Sequence, residues 1–338
     1  MLVALSAREI LDSRGRPTVK ATCRLASGAV GTASVPSGAS TGSAEALELR
    51  DGDPSRYRGL GCRKAVAIVN EIFAPILVGR EWDQASLDAA MPKLAANATL
   101  AVSLAFARAT APLTGDSKHL PRPMINLFSG GKHAGGQVPI QDVLVIPHAS
   151  TIDECLATTF DVYEDAAELV FRKYGMRRLT ADEGGLAPAF PSIDAMLSDA
   201  VEAIGNRPLS LAVDVAASHF YDGTRYTPGT SDEMIDIIAG WCERYPIISV
   251  EDGLAEDDWE HWPRLRERLA RRVQVLGDDL LCTNPQRIRR AIDTRACDAL
   301  LLKVNQIGTL TEAAASLRLA REAGWRVTVS ARSGETED

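Results

Sequence analysis

The chain has 338 residues, of which 46% are hydrophobic and 24% are charged, and its formal net charge is −8 at pH 7. This length accommodates a large α/β domain and a smaller domain, each with its own core. The negative charge and the scattered basic residues argue against a nucleic-acid or anionic-membrane surface, because such partners are bound by clustered Lys and Arg.

The first dozen residues include Arg8, Glu9 and Asp12, so they lack the apolar core of a secretory signal. The most apolar stretch, residues 95–113, contains polar residues and is not expected to span a membrane. We therefore predict a cytoplasmic protein. Its six cysteines include no C-x-x-C pair, which indicates buried thiols rather than disulfides or a zinc site.

In chain order, the first segment predicts strands followed by helices. The runs "TVKATCRL" and "AVGTASVP" alternate and are separated by a turn signal at 26–28, which indicates an antiparallel meander. From about Gly61 the hydrophobic period becomes helical, through "CRKAVAIVNEIFAPILVG", "DQASLDAAMPKLA" and "ATLAVSLAFARATA". We therefore predict a small α+β domain over residues 1–118.

After the link "HLPRPMINL", short apolar runs alternate with amphipathic helical stretches. The runs are "DVLVIP", "RLTADEG", "LSLAVDVAA", "PIISVEDG", "VQVLGDDL", "ALLLKVNQ" and "WRVTVSARSG". Apolar strands separated by helices predict an α/β domain with a parallel sheet covered on both faces. Because a charged residue ends almost every run, we expect a barrel rather than an open sheet, over residues 119–338.

Four charged residues stand where successive predicted strands end. They are Asp214, Glu251, Asp278 and Lys303, each one strand–helix unit after the last. In a (β/α)₈ barrel these ends converge on the mouth where active sites are built. Three carboxylates aimed at one point repel each other unless a cation lies among them, and an all-oxygen ligand set favours Mg²⁺. Separate helix N-caps after each strand are the alternative interpretation of the acids.

Lys303 closes the run "ALLLK", so the stem of its side chain should be buried. Burial and a nearby divalent ion both lower a lysine pKa, which would let Lys303 accept a proton at neutral pH. Alternatively, Lys303 forms a buried ion pair with Asp278 or Glu251. Asp182 and Glu183 end another run. An acid opposite a lysine base suits removal of a proton from one carbon and loss of a hydroxyl from the next.

Two segments of small residues carry hydroxyl or imidazole groups. They are "VPSGASTGSAE" (35–45) and "SGGKHAGG" (129–136). Each is either a plain loop or a lid that closes over an anion and excludes water.

Seven motifs occur in order over essentially the whole chain: "ILDSRGRPTV", "VPSGASTG", "DEGG", "SVEDGLAEDDW", "GDDL", "LLKVNQIGTLTE" and "SARSGETED". Together they resemble the enolase (phosphopyruvate hydratase) family. The resemblance implies a small α+β domain followed by a modified TIM barrel of eight strands that opens in ββαα order. It also implies a homodimer or higher homo-oligomer formed through the small domain, whose matching region is 9–16.

The resemblance implies dehydration of 2-phosphoglycerate to phosphoenolpyruvate with Mg²⁺ as cofactor. Asp214, Glu251 and Asp278 would bind the ion. Lys303 would be the base at C2, and Glu183 the acid that helps the C3 hydroxyl leave.

Further residues would bind the substrate, again by resemblance. Ser40 in "GAST" would belong to a lid and to a second metal site. His133, Arg332 and Ser333 would hold the phosphate. Asp142 occupies the glutamate position of the family's Leu-Gln-Glu motif, where it is one methylene shorter and is expected to reach less far.

Three departures from the family pattern shape the functional hypotheses. Ala331 stands where the family has a histidine, Asp142 replaces the glutamate, and the sequence ends at Asp338, before the family's eighth strand with its second lysine. One interpretation of the third departure is that the sequence is a fragment of a longer protein. We expect an enolase-type lyase acting on 2-phosphoglycerate or on a closely related phosphorylated or phosphonylated carboxylic acid. One alternative is a paralogue such as carboxyphosphonoenolpyruvate synthase, and another is a non-catalytic pseudoenzyme that binds metal and anion.

Overall fold

A computed structural model describes residues 1–111, 120–269 and 272–336 of the chain. The predicted domain boundary between 118 and 119 lies outside these described residues and stays a prediction. Within them, no helix is both long enough and apolar enough to cross a membrane.

The small domain begins with a three-stranded antiparallel sheet, as the alternating runs predict. Its strands, in the spatial order β1-β2-β3, are β1 (Leu2–Leu11), β2 (Pro17–Leu25) and β3 (Val30–Ser34). Gly28 makes the turn between β2 and β3 with a φ of 88°, a conformation that only glycine adopts without strain. The sequence had indicated two of these strands by their alternation, and β1 joins them at the edge.

Four helices follow this sheet and pack against it or against one another. They are α1 (Arg63–Ala67), α2 (Ala74–Leu77), α3 (Gln84–Ala90) and α4 (Ala96–Thr110), with a π-helical segment at Ile68–Phe73 between α1 and α2. The run "DQASLDAAMPKLA" is helical only as far as Ala90, because Met91 precedes a proline and takes an extended ψ of 122°.

Helix α4 lies directly against the sheet. A Cβ added at Gly31 would stand 2.1 Å from the Ala105 carbonyl oxygen, so glycine is what permits this close approach. The side chains between helix and sheet form the core of the small domain, which is separate from the core of the second domain.

The second domain alternates strands and helices around a seven-stranded sheet. The strands are β4 (Ile125–Ser129), β5 (Asp142–Pro147), β6 (Leu209–Asp214), β7 (Ile247–Glu251), β8 (Gln274–Gly277), β9 (Ala299–Leu302) and β10 (Arg326–Val329). The helices are α5 (Gly131–Ala134), α6 (Ile152–Tyr174), α7 (Ile193–Ile204), α8 (Ser231–Arg244), α9 (Trp262–Arg268), α10 (Pro285–Thr294) and α11 (Leu310–Glu322).

The sheet has the strand order β10-β9-β8-β7-β6-β5-β4 and is mixed rather than wholly parallel. Strands β6 to β10 run parallel, but β5 is antiparallel both to β4 and to β6. The prediction of a parallel sheet was therefore wrong for the first two strands. The ββαα opening implied by the family resemblance is confirmed, since β5 follows β4 before the long helices α6 and α7.

One predicted strand is wrong and another was missed. The run "RLTADEG" forms a loop with only an isolated bridge from Thr180 to Leu186. Its residues are mostly exposed, so it lacks the covered faces of a barrel strand. Strand β4 comes instead from "INLFS", which the sequence analysis placed in the link between the domains and whose last three residues are buried.

The seven strands curl into an incomplete barrel. A single cavity is lined both by Ile125 on β4 and by Val327 on β10, so the two ends of the sheet face each other across it. In the described part of the chain these ends do not pair with each other. The predicted class, a modified TIM barrel, is confirmed, and the described residues supply seven of its strands.

Candidate active site

The four charged residues singled out by spacing stand where the sequence analysis put them. Asp214 and Glu251 are the last residues of β6 and β7 and are paired in register. Asp278 follows β8 directly, and Lys303 follows β9 directly. Parallel neighbouring strands bring these positions to one rim of the barrel.

This rim opens into a cavity of about 1360 Å³. All the predicted site residues line it: Ser40, His133, Asp142, Glu183, Asp214, Glu251, Asp278, Lys303, Arg332 and Ser333. The fold therefore brings together residues that lie up to 293 positions apart. Their individual roles stay predictions, which the contacts below support to different degrees.

Lys303 is held by Asp278 at the base of the cavity. Its Nζ lies 2.5 Å from Asp278 Oδ2, while Gln306 Nε2 donates to the other oxygen at 2.7 Å. Burial alone lowers the pKa of Lys303, but the charges of Asp278 and Glu251 outweigh it and raise the pKa above the ordinary value. Lys303 and Asp278 thus form the buried ion pair that was the alternative interpretation, whereas the lowered pKa was expected beside a bound divalent ion and stays a prediction.

Glu251 and Asp214 are in the opposite situation, since each is a buried acid close to other acids. Burial and the charges of Asp214 and Asp278 raise the pKa of Glu251 well above its usual range. Burial and the charge of Asp142 raise the pKa of Asp214 to about 8. Asp214 accepts a hydrogen bond from Gln141 Nε2 at 2.9 Å, whereas the described residues offer no hydrogen bond to the Glu251 carboxylate.

The donor chemistry of this set, three buried carboxylates, suits a divalent cation. Buried carboxylates that repel one another are stabilised by a central positive charge, and an all-oxygen set suits a hard ion such as Mg²⁺. The alternative of three helix N-caps is not supported, because the helices that follow β6 and β8 begin well after Asp214 and Asp278.

Two groups of described residues have potential ligand atoms that all lie within 4.8 Å of one another. The predicted trio of Asp214, Glu251 and Asp278 is not one of them. These groups are Asp252, Asp278 and Asp279, and His133, Asp142 and Glu183. Asp252 is already engaged, because its carboxylate accepts the backbone N–H groups of Asp278 at 3.0 Å and of Asp279 at 2.6 Å. It therefore holds the loop after β8, which places Asp278.

His133 and Asp142 form a buried pair on the β4–β5 side of the cavity. Asp142 accepts hydrogen bonds from His133 Nδ1 at 2.6 Å and from Ser129 Oγ at 2.5 Å. Although Asp142 is one methylene shorter than glutamate, both of its carboxylate oxygens accept hydrogen bonds from neighbouring side chains. Gly185 of "DEGG" permits this packing, because a Cβ there would stand 2.3 Å from Ser129 Oγ.

Glu183 projects into the same side of the cavity from the loop after α6. Its carboxylate accepts hydrogen bonds from Ser333 Oγ at 2.8 Å and from Asn126 Nδ2 at 3.2 Å. His133 Nε2 lies 3.5 Å from Glu183 Oε1. Ser333, predicted to hold a phosphate, thus contacts the predicted acid.

Arg332 lies elsewhere in the cavity and is held by partners from both domains. Its guanidinium donates to the Glu45 carboxylate at 3.1 and 3.2 Å, to Asn305 at 2.8 Å and to the Ser40 carbonyl at 2.9 Å. A Cβ at Gly38 would stand 2.1 Å from Arg332 Nη2, which explains a glycine in "VPSGAS". Sequence analysis missed Glu45, although it lies in the predicted lid segment.

The segment 35–45 is held against the barrel by further hydrogen bonds. Ser40 Oγ lies 3.0 Å from His219 Nε2, and Ser43 Oγ donates to Glu256 at 2.9 Å. Burial, together with the charges of Lys132 and His133, lowers the pKa of His219 to about 4. The segment therefore covers the rim as a lid would, and no sequence signal pointed to His219.

The order of the two domains and the antiparallel start of the barrel, with a carboxylate–lysine rim, define a class of lyase-type barrel proteins. Comparison with family models agrees with this class over both domains. The model described as "Enolase, N-terminal domain" matches residues 2–117, and "Enolase, C-terminal TIM barrel domain" matches residues 117–338. The chain belongs to the enolase family.

Proposed function

We propose that the protein is a Mg²⁺-dependent lyase that removes water from 2-phosphoglycerate or from a closely related phosphorylated or phosphonylated carboxylic acid. The observation that carries the proposal is a single cavity lined by three strand-end carboxylates, a buried lysine, an acid and a buried arginine. Removal of a proton from one carbon and of a hydroxyl from the next needs a base and an acid in one site.

Asp214, Glu251 and Asp278 are the residues that would hold Mg²⁺. When bound, the ion would supply positive charge for the negative charge that develops on the substrate carboxylate. Lys303 is the group placed to accept the C2 proton. Its ion pair with Asp278 fixes the position of Nζ, and Lys303 becomes a base only when that ion pair is weakened.

Glu183 is the candidate acid for the departing hydroxyl. Its hydrogen bonds to Ser333 and Asn126 hold the carboxyl group in the cavity. Arg332 supplies the positive charge for a phosphate or phosphonate, and its contacts with Glu45 and Asn305 hold the guanidinium plane in place. Such oriented groups typically contribute about 10² to 10⁴ in rate each.

A second candidate is an enolase paralogue that acts on a phosphonate-type acid, such as carboxyphosphonoenolpyruvate synthase. Ala331 favours it, because this residue lines the cavity next to Arg332 but offers no polar group where the family resemblance implies an imidazole. The anion and metal ligands are retained while the hydroxyl side is changed.

The test is an assay of phosphoenolpyruvate formation from 2-phosphoglycerate with Mg²⁺, with and without EDTA. We expect EDTA-sensitive turnover, and a loss of about 10² to 10⁴ in kcat for Lys303→Ala. Lys93→Ala is the matched control, since Lys93 is an exposed lysine paired with Glu312 outside this cavity. Full activity in Lys303→Ala would contradict the assignment of the base.

The same assay separates the alternatives. Turnover of a phosphonate-type acid but not of 2-phosphoglycerate would identify the second candidate. If calorimetry detects neither Mg²⁺ nor phospho-acid binding, the enzymatic proposal fails. Binding of both without turnover of any tested acid identifies the pseudoenzyme.

A further inference from the structure

The turn between β1 and β2 carries the motif "ILDSRGRPTV", to which the proposed function assigns no role. This turn lies against the segment that follows β10. The Ser13 backbone N–H donates to the Glu335 carbonyl at 2.8 Å, and the Glu335 N–H donates to Ser13 Oγ at 3.0 Å. Both residues line the cavity, so the small domain reaches the cavity at this turn as well as through its lid segment.

A buried acid shapes this turn and fixes the backbone of Arg14. Asp12 Oδ1 accepts the backbone N–H groups of Arg14 at 2.8 Å and of Arg16 at 2.9 Å, and the Asp12 side chain is 0% exposed. Gly15 follows Arg14 with a φ of 71°, which closes the turn without strain. The Arg14 side chain is only 8% exposed, so its contacts are made inside the junction of the two domains.

The Arg14 guanidinium contacts three segments around the cavity. Nη2 donates to the Ser37 carbonyl at 3.0 Å, near the start of the lid segment. Nη1 lies 3.6 Å from Asp182 Oδ2. A Cβ on Gly334 would stand 2.5 Å from Nη2, so the segment after β10 passes directly against the guanidinium. In the described part of the chain Nη1 has no hydrogen-bond partner, and the ion pair with Asp182 is the polar contact that it makes.

Two of these three segments position Glu183, the candidate acid. Asp182 is its neighbour in the chain, and Gly334 follows Ser333, whose Oγ donates to Glu183 Oε1 at 2.8 Å. Arg14 contacts both neighbours, but among the described residues it is not one of those that line the cavity. It can therefore act on the reaction only through the residues that it holds.

The loop that carries Glu183 depends on contacts from outside. Residues 182–184 are exposed and belong to no strand, so side chains from elsewhere must fix their orientation. Tyr163 does so from α6, where its hydroxyl donates to the Gly184 carbonyl at 2.6 Å. Arg14 does so from the small domain, on the other side of the acid.

We propose that Arg14 is a positioning residue for Glu183, which it holds in place through the ion pair with Asp182 and through close packing against Gly334. The inference rests on the proposed function, because it assigns a support to the acid of that reaction. It gives the turn between β1 and β2 a part in catalysis that is separate from any contact between subunits.

The kinetic experiment compares Arg14→Gln, Asp182→Asn and the matched control Arg16→Gln. Arg16 is the exposed arginine two residues further along the same turn. With 2-phosphoglycerate and Mg²⁺, we expect the first two variants to lower kcat by about tenfold to a hundredfold and to change KM by less than about twofold. The reason is that a misplaced acid slows the reaction while the anion ligands stay in place. The control should keep the kcat of the wild type.

The double variant Arg14→Gln/Asp182→Asn separates positioning from general structural support. If Arg14 acts through Asp182, the double variant should match Arg14→Gln within about twofold, whereas independent effects would multiply. Arg14→Lys keeps the charge but loses the planar fork, and its kcat should fall between those of the wild type and Arg14→Gln. Multiplied losses in the double variant, or an unchanged kcat in Asp182→Asn, would overturn the proposal. The Asp182 side chain is 41% exposed, so this variant keeps the test valid even if Arg14→Gln folds poorly.

A second experiment needs no turnover and therefore separates this inference from the proposed function. Hydrogen–deuterium exchange is followed by mass spectrometry in a peptide that covers residues 180–186, with a peptide from α10 as the internal reference. We expect exchange in 180–186 to become about threefold to tenfold faster in Arg14→Gln and in Asp182→Asn, because the loop opens more often, while the reference stays unchanged.

Unchanged exchange of residues 180–186 in both variants would show that Arg14 does not hold the loop and would sink the proposal. If the wild type does not turn over 2-phosphoglycerate, the proposed function fails, but the exchange measurement still decides whether Arg14 holds the loop that carries Glu183.

Discussion

The two sides of the cavity differ in how their charged side chains are paired. On the side of β8 and β9, Lys303 and Arg332 are each bound to an acid, Asp278 or Glu45, so that positive and negative charges are matched pairwise. On the side of β4 and β5, one imidazole lies among acids. Under the proposed function, the first side carries the base and the anion ligand, and the second carries the candidate acid Glu183.

The two sides also differ in the domains that build them. The Arg332 contacts come partly from the small domain, through Glu45 and the Ser40 carbonyl. His133, Asp142 and Glu183 all belong to the barrel domain. Changes at Glu45 should therefore alter anion binding more than proton transfer.

The largest expected effect is a loss of stability when the ion pair between Lys303 and Asp278 is broken. Asp278→Asn leaves Lys303 as a buried charge without its carboxylate, since the two side chains are only 11% and 13% exposed. We expect the free energy of unfolding in EDTA to fall by about 3 kcal/mol. Urea denaturation measures it.

The matched control for this variant is Asp232→Asn, which removes half of an exposed ion pair with Arg264. Exposed pairs contribute about 0–1 kcal/mol, so this control should change little. If both variants lose the same free energy of unfolding, the Lys303–Asp278 pair does not behave as a buried ion pair.

A smaller effect is expected for Arg332→Lys, which keeps the positive charge but removes the two-pronged contact with Glu45. Inorganic phosphate should bind roughly tenfold more weakly, because an ammonium cannot reproduce the planar fork. Calorimetric titration measures the affinity, with Arg264→Lys on the surface as the control. Unchanged affinity would mean that charge alone determines anion binding on this side.

The pH dependence of stability tests the lid. The pKa of His219 is lowered to about 4 from an ordinary 6.5, so the folded protein favours its neutral form. The stability contributed is present above pH 6.5 and is lost as the pH falls towards 4. His219→Gln should therefore lose less stability between pH 7 and 4.5 than the wild type.

Urea denaturation at both pH values measures this difference. His148→Gln is the control, because His148 is exposed and lies outside the lid contacts. Identical acid losses in the wild type and His219→Gln would contradict burial of His219 as the source of the effect.

The smallest change is expected for Ala331→His. His133 Nε2 already lies 3.5 Å from Glu183 Oε1, so a second imidazole should alter kcat with 2-phosphoglycerate by no more than about threefold, far below the usual contribution of a new acid–base group. Steady-state kinetics of the variant check this. An increase of a hundredfold would show that the hydroxyl side lacked an imidazole.

Much of the fold could be predicted because strand ends have a distinct pattern. Apolar runs that end in Asp214, Glu251 and Lys303 could be found from the sequence, since buried strands carry charge only where they leave the core. "RLTADEG" failed because its charged end imitates this pattern without the apolar run. "INLFS" was missed because a Pro-rich stretch before it indicated a linker.

The site was less predictable, because side-chain partners across domains leave no local pattern. Glu45 and His219 lie 287 and 179 positions from the residues they bind, Arg332 and Ser40. The ion pair between Lys303 and Asp278 could be given only as an alternative, for a related reason. Burial could be read from "ALLLK", but the short distance to Asp278 could not.

The Arg332–Glu45 contact has a thermodynamic consequence. If Arg332 binds an anion as proposed, this contact couples the docking of the small domain to anion binding, and such coupling is reciprocal. The free energy by which the docked small domain strengthens anion binding equals the free energy by which a bound anion strengthens the docking of that domain. A bound anion would therefore add to the hydrogen bonds of Ser40 and Ser43, which already hold segment 35–45 against the barrel.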